Sequence, residues 1–502
     1  MGRLRYFAGS FIWNVISKVT DAAVKFFTIP LMLHYFGKDY YGILTLAIAT
    51  NAYMNLLNLG INTGAVKYFS QWIAEKNYEL IHSVSRTSIT FYLIIGIINS
   101  VVLVILAFFG RNLFHISEQQ FSLLQTMFFI MAFYAILNWS TSVFNQLLIA
   151  NERINFIQQI NIIKSFANLT LIFLTVKFQF SLLNYFLLFS TLNSVFVIPY
   201  YIKAKSSNLI RSFMPGRDWR NFKKIYRYSL SIFAMGIFQF TATQSRPIVL
   251  SMFSFAGAGI LSEYRIIEVF PIFIISVGGI IITILLPVTT KLVQQKQTEK
   301  IAEMAYKGTQ LTSLIVCLLC FPVIINSNDI LSLYVGAKYS FLAPWLALWV
   351  FTIILFLHNS PVASLVLSTG KTRMLVYSAS IACVISIVIN AALAETFGVG
   401  SAVIGYLVYI IIQMSFYYFY FNKKILHLDS LKIFKAFIRP TGLAILAFVP
   451  VYFFKFSSMP ALLIILIRTS AWFILFLGSL MLFKVIDLRK VLLYVKRLQI
   501  KR

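Results

Sequence analysis

The sequence predicts an all-α polytopic membrane protein of about 14 transmembrane helices. It reads as two six-helix bundles in a parallel pseudo-two-fold repeat plus two C-terminal helices. Three observations predict this. The 502 residues are 59% hydrophobic and 12% charged, with mean hydropathy +0.83, about half the charged fraction of a soluble domain. Apolar stretches long enough to cross a ~30 Å hydrocarbon core recur along the whole chain. Two short motifs each occur twice, separated by nearly the same interval.

The first six stretches are 8–33, 42–63, 87–109, 121–148, 156–176 and 181–202, and together they define an N-terminal bundle over 1–202. The first is long enough to span, and no small-residue cleavage site follows it. It therefore reads as a retained helix rather than a signal peptide. Residues 203–227 form a basic cytoplasmic linker with eight Lys or Arg, suited to an anionic leaflet. Stretches 228–250, 258–286, 309–325, 341–367, 375–394 and 401–421 build the second bundle over 228–421. Two additional helices, 437–454 and 461–483, occupy 437–483. In the tail 484–502, Leu488, Val491, Leu492, Val495 and Leu498 follow helical spacing between basic residues. It reads as an amphipathic helix on the inner membrane surface.

The repeat rests on two matches. Pro30 is followed twelve residues later by Gly42-Ile43-Leu44, and Pro247 twelve later by Gly259-Ile260-Leu261. Leu147–Arg153 aligns with Leu365–Lys371. Six helices are an even number, so both copies enter the membrane in the same direction. That arrangement is typical of transporters that bind substrate between repeats and rock one against the other.

The net charge of +28 raises nucleic-acid binding, but its distribution argues against it. Of 43 Lys and Arg, 32 lie in or at the edge of loops on the N-terminal side, 5 in the opposite loops and 6 deeper in the helices. This is the positive-inside pattern, and it places both termini in the cytoplasm. The outer loops, such as His34–Tyr41 and Gly110–Gln120, are too short to house a folded domain. Cys317, Cys320 and Cys383 lie in apolar stretches with no second CxxC or βαβ context, so they read as packing residues. The chain implies no cofactor and no metal site.

Nine charges lie four or more residues inside the apolar stretches: Lys18, Asp21, Lys25, Lys164, Arg246, Glu263, Arg265, Glu268 and Arg468. Each would cost about 2.5–3.5 kcal/mol facing lipid, roughly 25 kcal/mol in all. They must mostly face one another or water. Lys18, Asp21 and Lys25 share one helix face, where Asp21 can bridge either lysine. Arg265 and Glu268, three apart, can pair, and Glu263 lies on another face. Interfacial snorkelling is the alternative for Arg246 and Glu263. Lys164 reads as an interface residue near a helix end, and Arg468 as a lipid contact. The nine carry six positive and three negative charges, a balance that attracts anions in a low-dielectric cleft. A diphosphate fits, because Arg binds its oxygens bidentately and Lys acts as a point charge. Lys18, Lys25, Arg246 and Arg265 are the candidate substrate-binding residues. Asp21, Glu263 and Glu268 are candidates for charge pairing or for proton or sodium coupling. Helix 258–286, with its charges, Pro271 and Gly278-Gly279, is the candidate moving element.

Ile29-Pro30-Leu31, Phe36-Gly37, Tyr41-Gly42-Ile43 and Leu57-Asn58-Leu59-Gly60-Ile61 together resemble the opening of bacterial polysaccharide flippases. Pro247–Leu261, Leu286-Pro287, Ala150–Arg153 and Ser368–Lys371 resemble later parts of the same family. The resemblance spans most of the chain. It implies the multidrug/oligosaccharidyl-lipid/polysaccharide (MOP) exporter superfamily and its Wzx-like O-antigen and capsule branch. The implied function is movement of polyprenyl-diphosphate-linked oligosaccharide across the bacterial cytoplasmic membrane. Membrane lipids and other glycan-assembly proteins are the implied partners. Arg246 stands near a position where family members often carry an acid, so no coupling residue is carried over. Two siblings, a lipid II flippase and a cation-coupled drug exporter, stay open. An enzyme is not the reading, since a glycan polymerase would need paired carboxylates or a large outer loop. A scaffold would not need nine intramembrane charges.

Overall fold

The computed structural model describes residues 2–58, 60–371, 373–454 and 459–485. All regular structure among them is helical. In chain order the first helices are α1 (Gly2–Phe36), α2 (Lys38–Met54), α3 (Ile61–Ala74), α4 (Tyr78–Phe109), α5 (Glu118–Ser140), α6 (Ser142–Ala150), α7 (Ile154–Lys177), α8 (Leu182–Val195), α9 (Val197–Ser206), α10 (Trp219–Gln244), α11 (Arg246–Phe253) and α12 (Gly259–Gln294). They are followed by α13 (Thr298–Ile325), α14 (Ser327–Val335), α15 (Ala343–Leu357), α16 (Ser360–Ser368), α17 (Arg373–Phe397), α18 (Val399–Phe416), α19 (Ser430–Phe453) and α20 (Ala461–Leu482). Ten helical spans among the described residues are long and apolar enough to cross a membrane, and the bent pair α2–α3 makes an eleventh. The chain is a multi-pass, all-helical membrane protein. The expected amphipathic tail, from 486 onward, lies outside the described residues.

Several predicted spans are broken rather than continuous. Stretch 121–148 is α5 and α6, interrupted at Thr141, and 341–367 is α15 and α16, interrupted at His358 and Asn359. Stretch 228–250 breaks at Ser245, where Pro247 starts α11, as its missing N–H allows. By contrast α12 runs without a break through Pro271. The segment Asn326–Ser340, which reads as a loop in sequence, carries α14. Other helices overrun their apolar stretch because polar caps hold extra turns outside it. Asn77 caps α4 through the Leu80 amide, and α5 starts with a capping box between Ser117 and Gln120.

The internal repeat is visible in the turns. Left-handed residues end helices at Lys76, Glu152, Gln179 and Asn208, and again at Lys296, Gly370, Gly398 and His427. Taken in order, the four pairs are separated by nearly the same interval as the two sequence motifs. Such a residue closes a helix by turning its following amides back onto the last carbonyls. At the first pair this is Asn77 N–H to Trp72 O at 2.9 Å and Gln297 N–H to Leu292 O at 3.1 Å.

The chain divides into two compact units, Met1–Val269 with Leu375–Gly405, and Phe270–Met374 with Tyr406–Arg502. The first holds a buried cluster in which Ile61, Phe69, Trp72, Tyr92, Phe144 and Phe222 are among the members. In the second, Trp472 stacks on Phe321 at 5.4 Å and donates its indole N–H to Ala444 O. The basic segment 203–227 is docked rather than loose. Gly216 N–H bonds Arg86 O at 3.0 Å, Thr90 Oγ1 donates to Gly216 O at 2.7 Å, and Arg211 pairs with Glu79 at 2.6 Å.

Candidate functional site

Seven of the nine intramembrane charges gather in two sets on helices of the first unit. The seven proposed binding or coupling residues all lie on α1, α11 and α12. On α1, Lys25 pairs with Asp21 at 2.7 Å, and both side chains are about half exposed, at 53% and 51%. Lys18 is exposed about one turn earlier. At 100° per residue, Asn14, Ser17, Lys18, Asp21, Lys25 and Thr28 form one stripe. The exposed apolar residues Ile12, Ile16, Val19 and Phe27 form a second stripe on the opposite face. A helix with opposite polar and apolar exposed faces suits water on one side and lipid on the other. α1 packs against α7, and Lys164 of α7 lies within electrostatic reach of Asp21. The sequence places Lys164 alone at an interface; the helix packing instead brings it to the α1 cluster.

The second set surrounds the first turns of α12. Arg265 pairs with Glu268, as their spacing predicts, and Glu268 also accepts the Tyr264 hydroxyl at 3.1 Å. Arg265 lies against the hydroxyl of Tyr41 on α2, and Arg246 lies within electrostatic reach of Tyr264. Arg246 is only 6% exposed, so it does not snorkel. Its Nε donates to Ala242 O at 3.0 Å, and its carbonyl accepts from Asn390 Nδ2 at 3.3 Å. Ser401 in turn donates to Asn390 Oδ1 at 2.9 Å. Glu263 points elsewhere and pairs with Lys38 at 2.5 Å. Its expected coupling role therefore competes with a salt bridge.

Two motif glycines permit the close approach of α2 to the start of α12. A Cβ on Gly42 would lie 1.9 Å from Ala258 O, and one on Gly259 would lie 2.6 Å from Asp39 Oδ1. The repeated Gly-Ile-Leu motifs thus face each other. Lys38 O accepts from the Ser262 hydroxyl at the same place.

Arg468 corrects the sequence reading. In place of a lipid contact, its guanidinium binds Asp329 at 2.7 Å and Phe454 O at 2.9 Å. It belongs to the second unit's framework and is removed from the site. In the first unit Lys18, Lys25, Lys164, Arg246 and Arg265 oppose Asp21 and Glu268, while Lys38 and Glu263 cancel. The net charge of the seven on α1, α7, α11 and α12 is +3, and Asp39 lies beside Lys38 at Gly259. Sequence reasoning missed Lys38 and Tyr41. Lys38 reads as an ordinary loop lysine until Glu263, from the other half of the repeat, is placed beside it.

No protein-family model and no curated protein matches the chain. Solved structures do. The lipid II flippase MurJ, in an inward closed conformation, matches with a TM-score of 0.72 at 14% identity, covering 94% of this chain and 98% of its own. An inward-facing multidrug resistance MATE family transporter of the MOP superfamily matches with a TM-score of 0.62 at 14% identity, covering 80% and 96%. The MATE multidrug transporter DinF-BH matches with a TM-score of 0.61 at 14% identity, covering 85% and 97%. The chain shares its overall fold with these three membrane proteins.

Proposed function

We propose that the chain is a flippase that moves a polyprenyl-diphosphate-linked oligosaccharide across the bacterial cytoplasmic membrane by alternating access, with both termini cytoplasmic. The observation that carries this reading is the net +3 set on α1, α7, α11 and α12. Exposed Lys18 and Lys25 meet the diphosphate as point charges, and Arg265, positioned by Glu268, supplies a planar donor set. The polyprenyl tail stays in lipid. No bond is made or broken. Asp21 and Glu268 are the candidate acids for proton or sodium coupling, since each already balances a cation that substrate phosphate could claim. Lys25→Ala, Arg246→Ala and Arg265→Ala, scored by surface glycan at matched expression, test this. Each is expected to lower glycan at least tenfold, and wild-type levels in all three would overturn the cavity role.

A second reading, lipid II as cargo, is supported by the flippase neighbour. Lipid II also carries a diphosphate, so the same cations serve it. Rescue of a strain depleted of its lipid II flippase would favour lipid II; rescue of a strain lacking surface glycan would favour the oligosaccharide. A drug exporter for cationic compounds fits poorly with a net positive site.

A further inference from the structure

One span shows lipid almost nothing. Between Tyr41 and Ile73, every exposed residue among those described is polar: Asn51, Asn55, Asn62, Thr63, Lys67 and Gln71. The neighbouring α4 is the contrast, exposing Ile94, Ile97, Ile98, Val101, Ile105 and Phe108. Exposed carboxamides in hydrocarbon lose their hydrogen bonds, so this face of α2–α3 lines water. Asn51 and Asn55 are four apart at the end of α2, and Asn55 and Asn58 begin and end a 3-10 turn in which residues three apart eclipse, so the three stay near one face. Asn62 continues the row just past the bend between α2 and α3.

Two of these amides are held from behind. Tyr92 is fully buried and Gln146 is 2% exposed. Gln146 Nε2 donates to Asn62 Oδ1 and to Tyr92 Oη, and Tyr92 Oη lies 3.1 Å from Asn58 Oδ1 and 3.2 Å from Asn62 Oδ1. A phenol has one proton to give. Asn62 Oδ1 is already served by Gln146, so the proton belongs to Asn58. Both asparagine oxygens are then satisfied inward. Their Nδ2 groups find no protein acceptor among the described residues and stand on the wet side. Trp139 stacks under Tyr92 at 6.2 Å and fixes the ring.

We propose that this asparagine row is the subsite for the uncharged sugars of the cargo, binding hydroxyl and acetamido oxygens through preset amide N–H donors. It rests on the flippase reading and deepens it. α1, with the candidate diphosphate-binding lysines, packs against α2, so headgroup and glycan would occupy adjoining surfaces. Tyr92 and Gln146 are positioning residues, because they act through Asn58 and Asn62.

The test uses the full-length protein and three probes: bare undecaprenyl diphosphate, the same carrier with one N-acetylglucosamine, and the same carrier with one galactose. Affinities are read by native mass spectrometry. Wild type is expected to bind at least one glycosylated carrier about tenfold more tightly than the bare one, the factor one good hydrogen bond supplies. Asn58→Leu should bring that ratio close to one. Asn55→Leu should reduce it also. The Asn55 side chain is exposed and has no hydrogen-bond partner among the described residues, so this variant guards against misfolding. A wild-type ratio of one for both sugars, or variants that keep the wild-type ratio, overturns the subsite alone. Failure of wild type to bind any carrier overturns the flippase reading, and the subsite with it.

Discussion

Lys25 and Asp21 are each about half exposed, and such a pair contributes little to stability, about 0–1 kcal/mol. Moving Asp21 from Lys25 to the neighbouring Lys164 would therefore cost α1 little stability. Arg468 and Asp329 sit differently: each is 17% exposed, and Arg468 also binds a backbone carbonyl. Removing one member of a largely buried pair strands the other and costs about 3–5 kcal/mol. Arg468→Met should thus lower the melting temperature of the purified protein by several degrees, and adding Asp329→Leu should recover most of the loss. A double variant no more stable than the single would mean Arg468 acts through lipid after all. The pairing was illegible in sequence because 139 residues separate the partners. Arg265 and Glu268 were legible because the helix itself sets their spacing.

At the scale of elements, the docking of 203–227 depends on the start of α10. Asp218 caps that helix, accepting from the Asn221 backbone and side chain and from Ser83, while its own N–H bonds Thr87 Oγ1 at 2.8 Å. Partial burial pushes its carboxyl up, but the Asn221 and Ser83 hydrogen bonds outweigh this and hold it below the usual 3.8. A depressed carboxylate stabilises the fold above its unfolded pKa, and that contribution is lost as pH falls through the lower folded value. Asp218→Ala should destabilise the protein by about 1 kcal/mol at pH 7, as loss of a helix cap does. The gap to wild type, followed by thermal melts, should narrow only once the pH drops below about 4. A gap that closes by pH 6 would assign the stabilisation to another group. Sequence reading saw this segment as basic and cytoplasmic. It missed the docking because the anchoring groups, Arg86, Thr87 and Thr90, look like ordinary residues at the edge of an apolar stretch.

Across the whole molecule, the membrane class and most of the long apolar helices were readable, since both are written in composition. The meeting of the two repeats was not. Gly42 and Gly259 looked like mere markers of the offset, yet each leaves room for backbone or side chain from the other copy. On the proposed topology this contact lies toward the outer surface, beside the Lys38–Glu263 pair. On the proposed alternating-access mechanism, α1 presents Lys18 outward when this contact parts. A methyl at position 42 would sit 1.9 Å from a backbone oxygen, and overpacking of this kind costs about 1–3 kcal/mol. A shift of about 1.4 kcal/mol changes the balance between two states tenfold. Gly42→Ala should therefore raise the outward-open fraction several-fold or more. The three native cysteines are all buried, so Lys18→Cys can be labelled selectively with a membrane-impermeant maleimide added outside cells. Labelling should be slow in the Gly42 background and several-fold faster with Gly42→Ala. Lys38→Ala, which breaks the salt bridge but leaves the glycine contact, should give a smaller rise. Equal labelling in all three backgrounds would show that the meeting of the repeats at Gly42 does not govern access to α1.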